Sequence, residues 1–147
     1  MLDKIKTKLL EFYHKEDKLW LFFSLFDIQN KLILSNGVLT TDKFLPDLVD
    51  ILYHAILEKQ TNVHIVTIDI VKEIQIQPDI QKLLTLPAKE YGIFAVNRQT
   101  NISWVVLPDT QWVPDTKTAL ALLKQKYGLS GNVEISTFTT RRIAFEV

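Results

Sequence analysis

Ser35, Asn36 and Gly37 stand together in the segment Leu32 to Leu39 and offer the chain's most concentrated polar chemistry. A turn built on asparagine and glycine can aim consecutive backbone N–H groups at an anion. The serine adds a hydroxyl that both donates and accepts. A serine becomes a nucleophile only beside a base, and the neighbouring sequence offers none, so the segment reads first as a turn between a strand and a helix. Asp69 contributes a carboxylate from a β-branched run. Trp112, in the loop from Pro108 to Pro114, either covers the end of a core or offers a ligand a stacking surface. A groove formed by Ser35, Asn36, Gly37, Asp69 and Trp112 is where a ligand site or a small enzyme would be sought.

Other constellations carry less. Asp50, His54 and Glu58 are spaced to form a stripe on one helix, a pattern that could ligate a metal but that more commonly marks a solvated face. His14, beside Glu11, Asp17 and Lys18, reads as a surface residue. His64 shares strand parity with Val66 and Ile68 and reads as a histidine at the core rim. Gly128 to Gly131 has the spacing of a GXXG loop that clamps RNA backbone. A helix stop, with Gly128 left-handed and Leu129 folding back, is the better reading. The four glycines are too scattered for a Walker or Rossmann loop. Zero cysteines exclude disulfides, thiolate metal sites and a cysteine nucleophile. No catalytic residue, metal or cofactor is assigned.

The elements that must position these groups follow from periodicity. In 147 residues with 47% apolar content, one α+β domain spanning residues 1–147 is expected, burying roughly 70% of its unfolded surface. Leu2, Ile5, Leu9 and Phe12 fall at helical spacing. Leu19 to Phe26 is apolar at both parities and reads as a central strand covered on both faces. A second strand begins at Lys31 to Leu34 after the turn Asp27 to Asn30. Thr41 or Asp42 is placed to cap the next helix, with Pro46 in its first turn and Leu45, Leu48, Val49, Leu52, Ala55 and Ile56 on one face. Val63 to Val71 is a strand, and Pro78 to Leu84 a short helical turn. Tyr91 to Val96 and Ile102 to Leu107 make a hairpin about Asn97–Asn101, with Trp20 and Trp104 inside strand patterns. Pro114 and Asp115 open a helix carrying Ala119, Leu120, Leu123 and Tyr127, with Lys124 and Lys126 in its last turn. Val133 to Phe138 and Ile143 to Val147 close the chain as strand. The order α-β-β-α-β-α-β-β-α-β predicts a mostly antiparallel sheet with flanking helices.

Seventeen basic and seventeen acidic residues cancel, leaving no global field for nucleic acid or an anionic membrane. Arg141 and Arg142 are the only adjacent arginines and make no nucleic-acid footprint. No run approaches the ~20 apolar residues of a membrane span. The expectation is a cytoplasmic protein whose partner is another protein or a small ligand, with neither nucleic acid nor membrane involved.

The carboxy-terminal half, with Tyr91-Gly92-Ile93-Phe94, Trp104 to Pro108, Trp112 and Leu120 to Leu129, resembles the AMMECR family. Members show a Gly-Leu-Ile-Leu strand, a Leu-Pro-Gln-Val segment, a tryptophan and a helix ending in Lys-Ala-Gly-Leu, matched here by Lys126-Tyr127-Gly128-Leu129. The family's hallmark loop, Leu-Arg-Gly-Cys-Ile-Gly with a leucine two residues on, falls on Leu32 to Gly37 and Leu39. Ile33, Leu34 and Ser35 replace its arginine, first glycine and cysteine, and its Arg-Phe-Pro-Pro-Leu segment is missing. Asp69 stands near the family's acidic strand residue. The resemblance implies a compact α+β domain with a groove near the hallmark loop and, from the Memo-type and radical SAM proteins found beside family members, a modification pathway. With serine in place of the thiol, it implies a binding or adaptor module without its own catalysis.

Overall fold

The computed structural model describes residues 1–38, 41–110, 113–127 and 133–147. Leu39, Trp112, the Gly128 to Gly131 segment and the side chains of Lys124, Lys126 and Tyr127 lie outside the described residues. The elements run α1 (Leu2–Leu10), β1 (Leu21–Phe26), β2 (Leu32–Val38) and α2 (Leu45–Leu52), which continues into a π-helical turn (Tyr53–Leu57). They go on through β3 (Ile65–Ile76), α3 (Ile80–Leu84), β4 (Gly92–Asn97), β5 (Ile102–Val106), α4 (Thr116–Tyr127) and β6 (Val133–Glu146). This is the order the periodicities predict. The six strands are ordered β2-β1-β3-β6-β4-β5. β1 pairs antiparallel with β2 and β3, and β4 with β5 and β6, so the fold is α+β with an antiparallel sheet.

Two compact units divide the chain, Met1–Val71 with Arg141–Val147, and Lys72–Thr140. In the first, Ile5 and Leu9 of α1 and Leu45, Leu48, Val49 and Leu52 of α2 are buried with Leu21, Phe23, Leu25, Val66, Ile68 and Ile70 of β1 and β3. β1 lies between β2 and β3 and is buried at both parities from Leu21 to Leu25, as its two-faced apolar pattern requires. In the second unit, Leu83 of α3 and Ala119, Leu120 and Leu123 of α4 pack with Ile93, Ala95 and Val106 of β4 and β5. Trp104 packs against this cluster, while Trp20 is half-buried in the first unit.

The two hairpins, one in each unit, use the same turn chemistry. Asp27 Oδ1 accepts from the N–H groups of Gln29 and Lys31, and Asn97 Oδ1 accepts from those of Gln99 and Thr100. Each turn then ends on an asparagine in the left-handed region, Asn30 at φ 60° and Asn101 at φ 56°, a conformation asparagine tolerates. Asp115 accepts from the Thr118 N–H at 2.7 Å and so caps the start of α4. Hydrogen bonds from the Thr118 side chain and then its backbone hold the Asp115 carboxyl below its ordinary pKa. Its contribution to the helix is therefore present above the ordinary carboxylate pKa and is lost as pH falls through the lowered value.

Several local expectations are corrected. Neither Thr41 nor Asp42 caps α2. Thr41 Oγ1 accepts from the Lys43 N–H, Phe44 is the N-cap without a side-chain bond, and the Leu45 N–H is satisfied by the Asp17 carbonyl at 2.9 Å. β6 is continuous from Val133 to Glu146, and β3 extends to Ile76. In α2 the apolar face does not continue to Ala55. The Glu58 N–H reaches back to the Tyr53 carbonyl, the i→i+5 spacing of a π turn. One extra residue is thereby inserted, leaving Ala55 exposed and bringing Leu57 to the core at 1% exposure. Leu57→Ala should lower unfolding stability by about 2–5 kcal/mol, and Ala55→Lys by no more than about 0.5 kcal/mol. Urea melts of the two variants check this, and equal costs would mean the helix keeps α spacing to its end.

Candidate functional site

Directly opposed residues of an antiparallel pair share a face of the sheet. Ser35 is opposite Ser24, which is opposite Thr67, and Gly37 is opposite Phe22, which is opposite Asp69. Ser35, Gly37 and Asp69 therefore lie on one face, with Phe22 and Ser24 of β1 between them. Leu21, Phe23 and Leu25 of β1 point to the other face, into the apolar core. Asn36 is opposite Phe23, so its side chain leaves the strand on that core face. Thus the fold brings Ser35, Gly37 and Asp69 together and separates Asn36 from them, while Trp112 lies outside the described residues. The expected tight turn at Asn36-Gly37 is not formed, because β2 runs through both residues to Val38.

The shared face is polar and paired. Ser24 and Thr67 are each 6% exposed and Asp69 is 0% exposed, whereas Ser35 and Asn36 are exposed. The Ser24 and Ser35 hydroxyl oxygens are 3.1 Å apart, a hydrogen bond in which either can donate. Both carboxylate oxygens of Asp69 are held by Arg142, Oδ1 by Nε–H at 2.9 Å and Oδ2 by Nη2–H at 3.1 Å. This is the bidentate fork that fits a guanidinium to a carboxylate. The three histidines lie on other segments. His54 Nδ1 lies 3.3 Å from Glu58 and His64 Nε2 3.9 Å from Glu146, and His14 donates its backbone N–H to Asp17. Asp50 is paired with Lys6 at 2.6 Å. Among the described residues no histidine–carboxylate cluster is placed to hold a metal ion.

Gly37 has a steric reason to be glycine. A Cβ there would stand 2.2 Å from the Leu21 carbonyl oxygen, 2.5 Å from Phe22 Cα and 2.6 Å from Phe22 Cδ1, so the facing β1 backbone and the Phe22 ring together occupy the space a side chain would need. Sequence reasoning missed this, and it missed Ser24 and Arg142 as partners. One signal was available for Arg142, since an aspartate inside a β-branched strand is almost never buried without a cation. The adjacent arginines divide by strand parity. Arg142 faces Asp69, while the Arg141 guanidinium lies 4.0 Å from the Phe12 ring centroid, in cation–π contact.

Removing one member of the Asp69–Arg142 pair takes both prongs of this contact from the other. Arg142→Met should cost about 3 kcal/mol, the low end for breaking a buried ion pair, because the Arg142 side chain keeps 35% of its surface in water. In a double-mutant cycle with Asp69→Asn, the double variant should be less destabilised than the sum of the singles, and additive costs would show the pair to be energetically silent. Gly37→Ala should cost about 1–3 kcal/mol by overpacking, against less than about 1 kcal/mol for Ser35→Ala on the exposed part of the same strand.

No protein-family model matches the chain, and no curated protein matches it. Among solved structures it is similar to the uncharacterised protein PH0010 from Pyrococcus horikoshii, with a TM-score of 0.69 and 17% identity over 88% of this chain and 75% of that one. That likeness is one of fold.

Proposed function

We propose that this chain is a divergent AMMECR-like domain acting as a binding or adaptor module without its own catalysis, in the service of a modification pathway. The observation that carries the reading is the state of the hydroxyl at Ser35. Its partner is a second hydroxyl, Ser24, at 3.1 Å. The carboxylate on the same face is occupied on both oxygens by Arg142. A nucleophilic serine needs a base within hydrogen-bond reach, and a hydroxyl supplies none. What Ser35 and Asn36 retain is exposure on a strand at the sheet edge, which suits recognition of a protein partner or a small ligand. The order of elements and the family-like segments around Gly92, Trp104 and Leu120 support the AMMECR assignment. Among the described residues no helix is long and apolar enough to cross a membrane.

The alternative, a small enzyme with a groove of Ser35, Asn36, Gly37, Asp69 and Trp112, draws on the common face of Ser35, Gly37 and Asp69. It requires Asp69 to leave Arg142.

Affinity capture with the wild-type chain and with Ser35→Ala/Asn36→Ala, compared by quantitative mass spectrometry, tests the adaptor reading. The double variant should melt within a few degrees of wild type and lose at least one partner that the wild type enriches. An unchanged partner set would remove this strand as the binding site. Labelling of Ser35 by a serine-directed fluorophosphonate would favour the enzyme instead.

A further inference from the structure

We infer that the Asn36-Gly37 peptide on β2 is a self-modification site, at which the asparagine side chain loses ammonia and becomes an aspartyl or isoaspartyl residue. The two reacting groups are already adjacent. The Gly37 N–H donates to Asn36 Oδ1 at 2.7 Å, so the backbone nitrogen lies beside the side-chain amide whose Cγ it attacks once its proton is lost. Holding the two groups side by side lowers the entropy lost in an intramolecular step. Asn36 is exposed, so water and hydroxide reach it. Gly37 has no side chain to obstruct the approach. The other asparagines precede Lys31, Val63, Arg98, Ile102 and Val133, all of which carry a side chain that crowds the attacking nitrogen.

The step balances with water as the only co-reactant. Hydroxide removes the proton from the Gly37 nitrogen, which bonds to Asn36 Cγ. The tetrahedral oxyanion collapses, the Cγ–Nδ2 bond breaks, and nitrogen leaves as ammonia after taking a proton from water. The cyclic imide is then opened by water at either carbonyl. One opening restores the normal main chain with a carboxylate at position 36. The other routes the main chain through the side chain, adding one backbone atom between residues 36 and 37. Either product places a negative charge on a strand that carries none from Leu32 to Val38. The isoaspartyl product also displaces Gly37 from its place opposite Phe22, where no larger residue fits.

The inference is independent of the adaptor reading and is tested on the purified 147-residue chain. Folded protein is incubated in warm, mildly alkaline buffer, and peptide mapping follows the mass gain of amide-to-acid conversion at every asparagine, beside a sample kept unfolded in urea. Conversion is expected at Asn36 ahead of all other asparagines, at a rate in the folded chain at least equal to that in the unfolded one, and it should disappear in Asn36→Gln, whose longer side chain would have to close a larger, slower-forming ring. A folded-state rate lower by about tenfold or more would mean that the strand protects the peptide, and would overturn the inference. So would faster conversion at another asparagine.

Discussion

Asp69 is a carboxylate with no exposed surface, and withdrawing such a group from water is tolerable only if another group replaces the lost hydration. The two-pronged contact from Arg142 does so, and much of the first unit follows from it. Arg142 reaches Asp69 because β6 alternates there, presenting Arg142 to one face while Ile143 joins the apolar core on the other. The end of the same strand is held by two hydrogen bonds, with the Val147 N–H donating to the His64 carbonyl at 2.9 Å and the Lys4 side chain donating from Nζ to the Glu146 carbonyl. A strand fixed from both faces and at its terminus gives Asp69 a partner in fixed geometry. Its neighbours Ser24 and Thr67 are buried on the same face. Among the described residues no buried side-chain polar atom lacks a hydrogen-bond partner, the condition under which a polar face can be stable at all.

A second constraint recurs independently in each unit. Gly37 faces Phe22 across β2 and β1, and Gly92 faces Phe138 across β4 and β6. At Gly92 a Cβ would come 2.4 Å from the Phe138 ring, and Phe138 is 1% exposed. A glycine inside a strand ordinarily weakens it through backbone entropy and missing contacts. Here the opposing phenyl ring covers the backbone that glycine leaves bare, as aromatic side chains do across other strand pairs. Both glycines are set by what lies across the strand rather than by turn conformation, and neither has a positive φ.

This explains where the sequence was readable. Patterns that depend on one element alone were legible. The two-faced apolar run of β1 placed it between two neighbours, the single apolar faces of α1 and α4 placed them against strands, and the Asx turns announced both hairpins. What stayed hidden depends on pairing across the chain. Asn36-Gly37 carries the residue types of a turn, yet both residues pair with β1, Asn36 opposite Phe23 and Gly37 opposite Phe22. The π turn after Leu52 is invisible to a 3.6-residue period, because its wider spacing carries the next fully buried position past Ala55 to Leu57 without changing composition. Ser35 and Asp69 were recognised as polar outliers in apolar surroundings. Their partners Ser24 and Arg142 were not, because strand register and not sequence distance decides which side chains meet.

The same register bears on what the Ser35 strand can bind. β2 stands at one end of the strand order, and from Leu32 to Val38 it has none of the lysines, prolines or inward charges that commonly blunt a sheet edge. Its polar side chains are matched locally instead. Asn36 bonds the N–H of Gly37 and Ser24 bonds the hydroxyl of Ser35, so the strand's most reactive polar groups are each matched by a near neighbour. A ligand that uses them must offer better partners than a hydroxyl and a side-chain amide already in place. That exchange selects for partners rich in well-placed donors and acceptors. At Ser35 it favours recognition over nucleophilic chemistry, since the Ser24 hydroxyl does not raise the reactivity of the hydroxyl it touches.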